Sequence, residues 1–252
     1  MEPGKPAHMD DLSPWDEAAA SHYDTPGEGM FKDEVLLPAV EMLKSLAAGG
    51  KALEMGIGTG RVAVPLFRSG VKVSGIEYSP DMLAVLRRKA SQQEIPVTLG
   101  DMSQASAGEG FSLVYLVYNT LSNLQTQSAQ VDCFKNAARH LVPGGCFVLE
   151  MWVPELRKLP PGQQAIVWEV KDGYIGLDTV DTLEQRVVSH HIAYDRAGAA
   201  SVSLSRHRYV WPAEMDLMAR LAGFRLQARY GDWTGRAFAA DDRNQISVYR
   251  KE

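Results

Sequence analysis

The sequence predicts an α/β protein with a mostly parallel sheet and an antiparallel β meander inserted before its last helix. Three observations support this fold class. From residue 33 to residue 153, short apolar runs typical of buried strands alternate with amphipathic helical patterns. The run from Phe111 to Tyr118 is almost continuously apolar, as expected for a central parallel strand covered on both faces. After Pro154 the alternation stops, and β-type segments dominate as far as Trp211.

The composition excludes several classes of protein. The chain has 252 residues, enough for one sizeable α/β domain. Its net charge of −5 argues against a nucleic-acid binder, which would carry a basic surface. No run approaches the ~18 apolar residues needed to span a bilayer, and the acidic N-terminal segment does not resemble a signal peptide. The two cysteines, Cys133 and Cys146, are expected to be small buried hydrophobes in a cytoplasmic protein.

A glycine-rich turn lies at the centre of the predicted fold. The segment from residue 51 to residue 61 reads K-A-L-E-M-G-I-G-T-G-R, which predicts a short buried strand, a turn and the start of a helix. Glycines at alternate positions remove the side chains from the turn, so a ligand can lie directly on the backbone. A dinucleotide-binding loop would have a third glycine where Arg61 stands. Glu54 would repel a pyrophosphate but suits a ligand that carries an ammonium group.

The pattern E-x-G-x-G-x-G resembles the first motif of class I S-adenosylmethionine-dependent methyltransferases. The resemblance continues in G-D-M at 100–102 and in R-H-L-V-P-G-G at 139–145. Y-N-T-L-S-N-L at 118–124 and M-D-L-M-A-R-L-A-G-F at 215–224 are similar to small bacterial methyltransferases that tailor antibiotics, among them aminosugar, lincosamide and cypemycin-type N-methyltransferases. The resemblance implies a Rossmann-like sheet of seven strands whose last strand is antiparallel, with S-adenosyl-L-methionine as the cofactor.

The predicted cofactor site combines strand ends with the glycine turn. Glu77 ends the second strand, where a carboxylate can accept hydrogen bonds from both ribose hydroxyls; the alternative is a solvated strand-end carboxylate. The resemblance implies that Asp101 binds the adenine amino group and that Met102 packs on the ring. The predicted cofactor-binding residues are Glu54, Gly56, Gly58, Gly60, Arg61, Glu77, Tyr78, Met82, Asp101 and Met102.

The predicted acceptor site follows the fourth strand. In the resembled fold, residues at this position flank the transferable methyl group, although ordinary turn chemistry is the alternative for each of them. The candidate catalytic residues are Tyr23, from an N-terminal lid, Tyr118 and Asn119. The candidate substrate-binding residues are Ser122, Trp152, Asp232 and Trp233. Asp232 would attract an ammonium-bearing substrate, or else is a surface carboxylate.

The predicted organisation has three parts: a tail and lid at 1–30, a cofactor-binding domain at 31–155 and 212–252, and a substrate cap at 156–211. Four antiparallel strands are predicted in the cap: Ala165 to Val170, Tyr174 to Leu183, Arg186 to Tyr194 and Ser201 to Val210. Alternation places His190 and His191 on opposite faces, so at most one of them faces a pocket. No spacing suggests a metal site. The cap is also a candidate surface for forming a homo-oligomer.

The chemistry of the acceptor follows from the residues after the fourth strand. An amine must lose a proton before its lone pair attacks, whereas a hydroxyl usually needs a general base. No dedicated His/Asp pair occurs there, which favours methyl transfer to an amine of a small molecule, such as an antibiotic or another secondary metabolite. The alternatives are O-methylation of a hydroxyl or carboxylate and N-methylation of a peptide end. An NAD-linked dehydrogenase is disfavoured by Arg61 and by the lack of a second nucleotide-binding unit. We expect neither nucleic acid nor membrane as a partner.

Overall fold

The computed structural model describes residues 15–156 and 159–252. Most of the predicted N-terminal tail lies outside the described residues. The helices are α1 Glu17–Tyr23, α2 Asp33–Ala47, α3 Ala63–Arg68, α4 Pro80–Arg87, α5 Gln127–His140 and α6 Pro212–Leu221. Two 3₁₀ turns cover Gly29–Phe31 and Thr120–Asn123. The strands are β1 Lys51–Met55, β2 Val73–Glu77, β3 Val97–Leu99, β4 Phe111–Leu116, β5 Leu141–Trp152, β6 Ala165–Lys171, β7 Tyr174–Asp181, β8 Arg186–Tyr194, β9 Ala200–Arg208, β10 Phe224–Tyr230 and β11 Asn244–Lys251.

Seven strands form one mixed sheet in the order β10-β11-β5-β4-β1-β2-β3. The pairs β1/β2, β1/β4, β2/β3 and β4/β5 are parallel, whereas β11 is antiparallel to both β5 and β10. The predicted fold class is therefore confirmed, including the antiparallel last strand. Because parallel strands end at one edge, the residues after β1, β2, β3 and β4 lie close together there.

Apolar side chains cover both faces of this sheet. On one face, Leu43 and Leu66 from α2 and α3 are fully buried in one core cluster. On the other, Phe134 of α5 meets Phe147 of β5 edge to face, with ring centroids 5.1 Å apart. Cys133 and Cys146 are buried and free, as predicted. The sheet is thus a rigid base for the residues at its carboxyl edge.

The second sheet is a four-stranded antiparallel meander in the order β6-β7-β8-β9. Its strands agree with the predicted segments to within two residues at each end. Arg208 at the end of β9 joins the meander to the main domain, because its guanidinium donates to Gln130 of α5 at 2.6 Å and to Glu214 of α6 at 2.8 Å. We refer to β6–β9 as the cap sheet.

Two local predictions were wrong. Helix α4 was expected to continue to about Gln93 but ends at Arg87, whose guanidinium donates to the carbonyls of Ala90 and Ile95 in the segment that follows. The L-V-P-G-G segment is not a separate hairpin. It forms the start of β5, where the pairing with β4 shifts from Phe111↔Leu141 to Leu113↔Cys146, so the intervening residues bulge.

Candidate functional site

A cavity of about 300 Å³ opens at the carboxyl edge of the main sheet. We call it the strand-end cavity. It lies against the glycine turn after β1 and against the residues that follow β2 and β3. The predicted residues that line it are Gly56, Gly58, Glu77, Tyr78, Met82, Asp101 and Met102.

The glycine turn depends on glycine at all three positions. Gly56, Gly58 and Gly60 have φ values of +72°, +56° and +80°, which disfavour any residue with a Cβ. A Cβ on Gly56 would lie 2.4 Å from Thr120 Cγ2, and one on Gly60 would lie 2.3 Å from Leu86 Cδ1. Gly58 has more room, since the nearest atom to its Cβ would be Met82 Cε at 3.5 Å. Gly56 and Gly58 therefore line the cavity, whereas Gly60 serves close packing of the turn on α4.

Glu77 is the most firmly held polar group of the strand-end cavity. Its side chain is buried, and its Oε2 accepts a hydrogen bond from the Gly58 amide at 2.6 Å. Oε1 accepts from the Ser79 amide at 2.8 Å. Burial raises the pKa of Glu77, and the hydrogen bonds from Ser79 and Gly58 oppose this shift. The carboxyl group is thus fixed in position between the glycine turn and the start of α4.

The remaining walls suit an adenosine group. Asp101 presents a carboxylate whose Oδ1 accepts from the amide and the hydroxyl of Ser103, both at 2.7 Å. Met82 and Met102 are apolar and almost fully buried, as expected of side chains that pack on a flat ring. A diol-binding carboxylate, a second carboxylate for an amino group and apolar walls are the groups that adenosine requires.

The N-terminal segment closes the strand-end cavity. Ser79 Oγ donates to the carbonyl of Trp15 at 2.5 Å, which fixes the start of α1 beside α4. After α1, Asp24 accepts from Thr59 Oγ1 at 2.6 Å and forms an ion pair with Lys89. Helix α1 is therefore fastened at both ends over the glycine turn.

A second cavity of about 320 Å³ lies between α1, the 3₁₀ turn after β4 and the cap sheet. We call it the cap cavity. Trp15, Tyr23, Thr120 and Asn123 line both this cavity and the strand-end cavity. Its other walls are Tyr118, Asn119, Ser122, Trp152, Asp178, Val187, Ser189 and His207. The two cavities thus adjoin at α1, with the sheet edge on one side and the cap sheet on the other.

Similarity to known proteins agrees with this geometry. The family model described as "Methyltransferase domain" matches residues 52–145. The solved structure of the CcbJ methyltransferase from Streptomyces caelestis is 34% identical, covers 93% of this chain and 95% of that chain, and has a TM-score of 0.79. The chain belongs to the S-adenosylmethionine-dependent methyltransferases. The cypemycin N-terminal methyltransferase of a Streptomyces species is 25% identical over 97% of this chain and 100% of its own. The S-adenosylmethionine-bound amino pentose methyltransferase CalS10 of Micromonospora echinaspora shares the fold, with 22% identity over 93% of this chain and 97% of its own and a TM-score of 0.69.

Glu54 of this methyltransferase lies behind the glycine turn and does not line the strand-end cavity. Its side chain is 2% exposed, and its Oε2 accepts a hydrogen bond from the Tyr115 hydroxyl at 3.0 Å. Burial raises the pKa of Glu54 to about 8, although the bond from Tyr115 and the charge of Arg61 oppose the shift. At about pH 7 the carboxyl group is therefore mostly protonated, rather than the carboxylate that the sequence suggested.

The pKa of Glu54 predicts a pH-dependent stability. Below about pH 4.5 the group is neutral in both the folded and the unfolded chain; between about 4.5 and 8 it ionises first in the unfolded chain, so the folded state loses stability as the pH rises. In Glu54→Gln the amide oxygen still accepts from Tyr115, and this loss disappears. Thermal unfolding midpoints between about pH 5 and pH 8 should fall more steeply for the wild type than for Glu54→Gln. The exposed Glu109→Gln should follow the wild type; equal slopes for Glu54→Gln and the wild type would refute the assignment.

Arg61 lies in a third, separate cavity of about 250 Å³, together with Tyr118, Asn119, Glu150 and Trp233. The guanidinium lies 5.3 Å from the centroid of the Tyr118 ring and donates to the carbonyl of Met30 at 3.2 Å. Arg61 therefore fastens the segment after α1 to the sheet edge.

Tyr118 and Asn119 form a strained turn at the end of β4. Their φ values of +52° and +65° are unusual for residues other than glycine and are typical of functional sites. Asn119 Oδ1 accepts from the Trp152 amide at 2.6 Å, and the Tyr118 amide donates to Glu150 Oε2 at 2.7 Å. These bonds hold the Tyr118 ring, which is half exposed, at the rim of the cap cavity.

The other predicted acceptor residues separate into two groups. Ser122 and Trp152 line the cap cavity, as does Tyr23, whose pKa is raised to about 12 by burial, so that its hydroxyl is a donor and not a base. Asp232 lines neither the strand-end cavity nor the cap cavity, because it accepts from the Thr234 amide and from Arg236 in an exposed turn. Trp233 is almost fully buried and donates to Glu150 Oε1 at 2.8 Å, so it supports the Tyr118 turn.

Sequence reasoning missed Trp15, Asp178 and His207 as cavity residues. The cap-sheet pairings of Asp178 with Ser189 and of Val187 with His207 bring them together on one wall. His190 and His191, by contrast, contact Thr179 and Tyr174 and do not line the cavity. Within residues 15–156 and 159–252 the structure contains no cluster of three metal-ligating side chains. No helix in the same ranges has the length and apolar character needed to cross a membrane.

Proposed function

We propose that this methyltransferase transfers a methyl group to an amine of a small molecule bound in the cap cavity. The observation that carries the proposal is the wall of that cavity on the cap sheet, where the carboxylate of Asp178 lies near the imidazole of His207. A carboxylate in a partly enclosed cavity attracts an ammonium group, and the rings of Trp15, Tyr23 and Trp152 add favourable faces for a cation.

The residues of the site mainly align the reactants and exclude water. When bound, S-adenosylmethionine supplies a methyl group on a positively charged sulfur, which is already an activated leaving group. Helix α1 covers the junction of the two cavities, and Tyr23 presents a protonated hydroxyl to it. Alignment of two reactants in such an enclosed site accounts for a large part of a displacement barrier.

The names of the relatives support an amine acceptor. One relative is an N-terminal methyltransferase of cypemycin, and a structural neighbour is an amino pentose methyltransferase. The net charge of −5 supports a small molecule over a nucleic acid. We further propose that residues 31–155 and 212–252 bind the cofactor, with Glu77, Asp101 and Met102 on the adenosine, while 156–211 form the substrate cap. Self-association through the cap sheet remains a prediction.

A panel of three acceptors tests the proposed function. The purified protein is incubated with methyl-deuterated S-adenosylmethionine and an amino-sugar nucleotide, its hydroxy analogue, or a peptide with a free N-terminus. Mass spectrometry should detect a labelled methyl group on an amine, and acetylation of that amine should abolish the transfer. Methylation of the hydroxy analogue alone, or of none of the three, would refute the proposal.

Asp178→Asn is expected to raise the KM for the amine acceptor about tenfold, equivalent to ~1.4 kcal/mol, and to change kcat little. The substitution removes the negative charge but keeps an oxygen that can accept from Trp168 Nε1. Asp232→Asn is the matched control, because that carboxylate is engaged by Arg236 in a surface turn. Equal KM values for the wild type and Asp178→Asn would show that Asp178 does not attract the acceptor.

A further inference from the structure

We propose that His207 accepts the proton of the acceptor ammonium and that Ser122 fixes the ring tautomer in which His207 can do so. This inference rests on the proposed function, because it names the group that generates the nucleophilic amine. Both residues line the cap cavity, and neither was assigned a proton-transfer role by its place in a sequence motif.

The tautomer follows from the hydrogen bonds of Ser122. The Ser122 hydroxyl has a single hydrogen, which it donates to the carbonyl of Asn119 at 2.7 Å. Its oxygen also lies 3.2 Å from His207 Nδ1, so in this contact Nδ1 must donate its hydrogen to Ser122 Oγ. A neutral ring with its hydrogen on Nδ1 has a lone pair on Nε2. The hydroxyl of Ser205 lies 3.1 Å from Nε2, which is the contact expected of a nitrogen that accepts.

The surroundings keep the ring of His207 neutral. Burial lowers its pKa below the ordinary value of 6.5; the carboxylate of Asp178 on β7 opposes this, and His191 on β8 adds to it. The groups that pack on the ring from the other elements are uncharged: Ser122 in the turn after β4, and Val187, paired with it on β8. At about pH 7 Nε2 is therefore free to take a proton.

The other candidates in the cavity are less suited to this role. Tyr23 holds its proton to about pH 12. The Asn119 side-chain oxygen already accepts the amide of Trp152. His190 and His191 do not line the cavity. Asp178 supplies charge that attracts the ammonium group, and His207 is the neutral base beside it.

The step balances in protons and electrons. The ammonium nitrogen of the acceptor gives one proton to Nε2, which makes the amine neutral and His207 an imidazolium. The freed lone pair then forms the N–C bond as the C–S bond breaks and its electron pair stays on sulfur. The products are a methylated ammonium and neutral S-adenosylhomocysteine, and the imidazolium returns its proton to solvent.

The tautomer and the charge of His207 are measured without any acceptor. In the full chain labelled with ¹⁵N-histidine, two-dimensional NMR distinguishes protonated from unprotonated ring nitrogens, and His207→Gln identifies the His207 signals among six histidines. We expect a protonated Nδ1, an unprotonated Nε2 and a titration midpoint below 6.5. In Ser122→Ala the Nδ1 preference should weaken. A hydrogen on Nε2 or a midpoint above 7 would overturn the proposal.

The pH profile of methyl transfer separates a base from a structural residue. With the amino-sugar nucleotide or the peptide, kcat/KM of His207→Gln should be about 100-fold below the wild type near pH 7, in line with the usual contribution of general-base catalysis. The loss should shrink to about fivefold near pH 9.5, because solvent then deprotonates the amine. His190→Gln, on the opposite face, should match the wild type. A loss that is constant with pH would overturn the role of His207. Failure of the wild type on every amine would refute the proposed function and leave the NMR result to decide the tautomer.

Discussion

Glu77→Ala is expected to weaken the binding of S-adenosylhomocysteine by about 100-fold. The substitution removes the acceptors that hold the amides of Gly58 and Ser79 at 2.6 and 2.8 Å, so the glycine turn loses its link to β2. It also removes the carboxyl group that the ribose hydroxyls of the cofactor would contact. Hydrogen bonds to charged groups each contribute about 1.5–3 kcal/mol, and a combined loss of ~3 kcal/mol corresponds to about 100-fold in Kd.

Isothermal titration calorimetry measures this effect directly. Glu94→Ala is the matched control, because Glu94 is a glutamate of the same main domain whose bonds go to Ser91, away from the cavity. Circular dichroism should show both variants folded. A Kd for Glu77→Ala within threefold of the wild type would mean that the strand-end cavity does not bind the cofactor through Glu77.

The main sheet was predictable because local patterns and chain order determine most of it. Glu77 falls at the end of a periodic apolar run, and parallel strands bring such ends to one edge. The glycine turn carries its own signal, since three positive φ values require glycine. The position of Glu77 beside the amide of Gly58 follows from these two features.

The cap cavity was not predictable to the same degree, because it depends on long-range register. Asp178 and His207 belong to strands that are not adjacent, and the pairings across β8 decide that they share one wall. Local polar bonds also redirect side chains: Asp232 is held in its turn by Arg236, although its position after β10 suggested the rim of the site. Glu54 shows a third limit, because the sequence marks a carboxylate but not the burial that protonates it.

Arg208→Met is expected to lower the free energy of unfolding by about 3–5 kcal/mol, the usual cost of breaking a buried ion pair. The guanidinium is buried and bonds to Gln130, Gln185 and Glu214 at 2.6, 2.9 and 2.8 Å. Methionine fills similar space but leaves Glu214 without its cation and the Gln130 side-chain oxygen without its donor. Because these partners lie on α5, on α6 and between β7 and β8, the loss should loosen the cap sheet from the main domain.

Urea denaturation at several pH values tests the ion pair itself. Burial raises the pKa of Glu214, but hydrogen bonds from Gln185, Gln127 and Arg208 outweigh it and lower the pKa overall. The stabilisation is therefore present above about pH 4.5 and is lost as the pH falls through the depressed folded value, so the difference between wild type and Arg208→Met should narrow in acid. Arg206→Met, an exposed neighbour on β9, should stay within about 0.5 kcal/mol of the wild type. A difference that is independent of pH would assign the stabilisation by Arg208 to packing and to its bonds with Gln130 and Gln185, and not to its charge pair with Glu214.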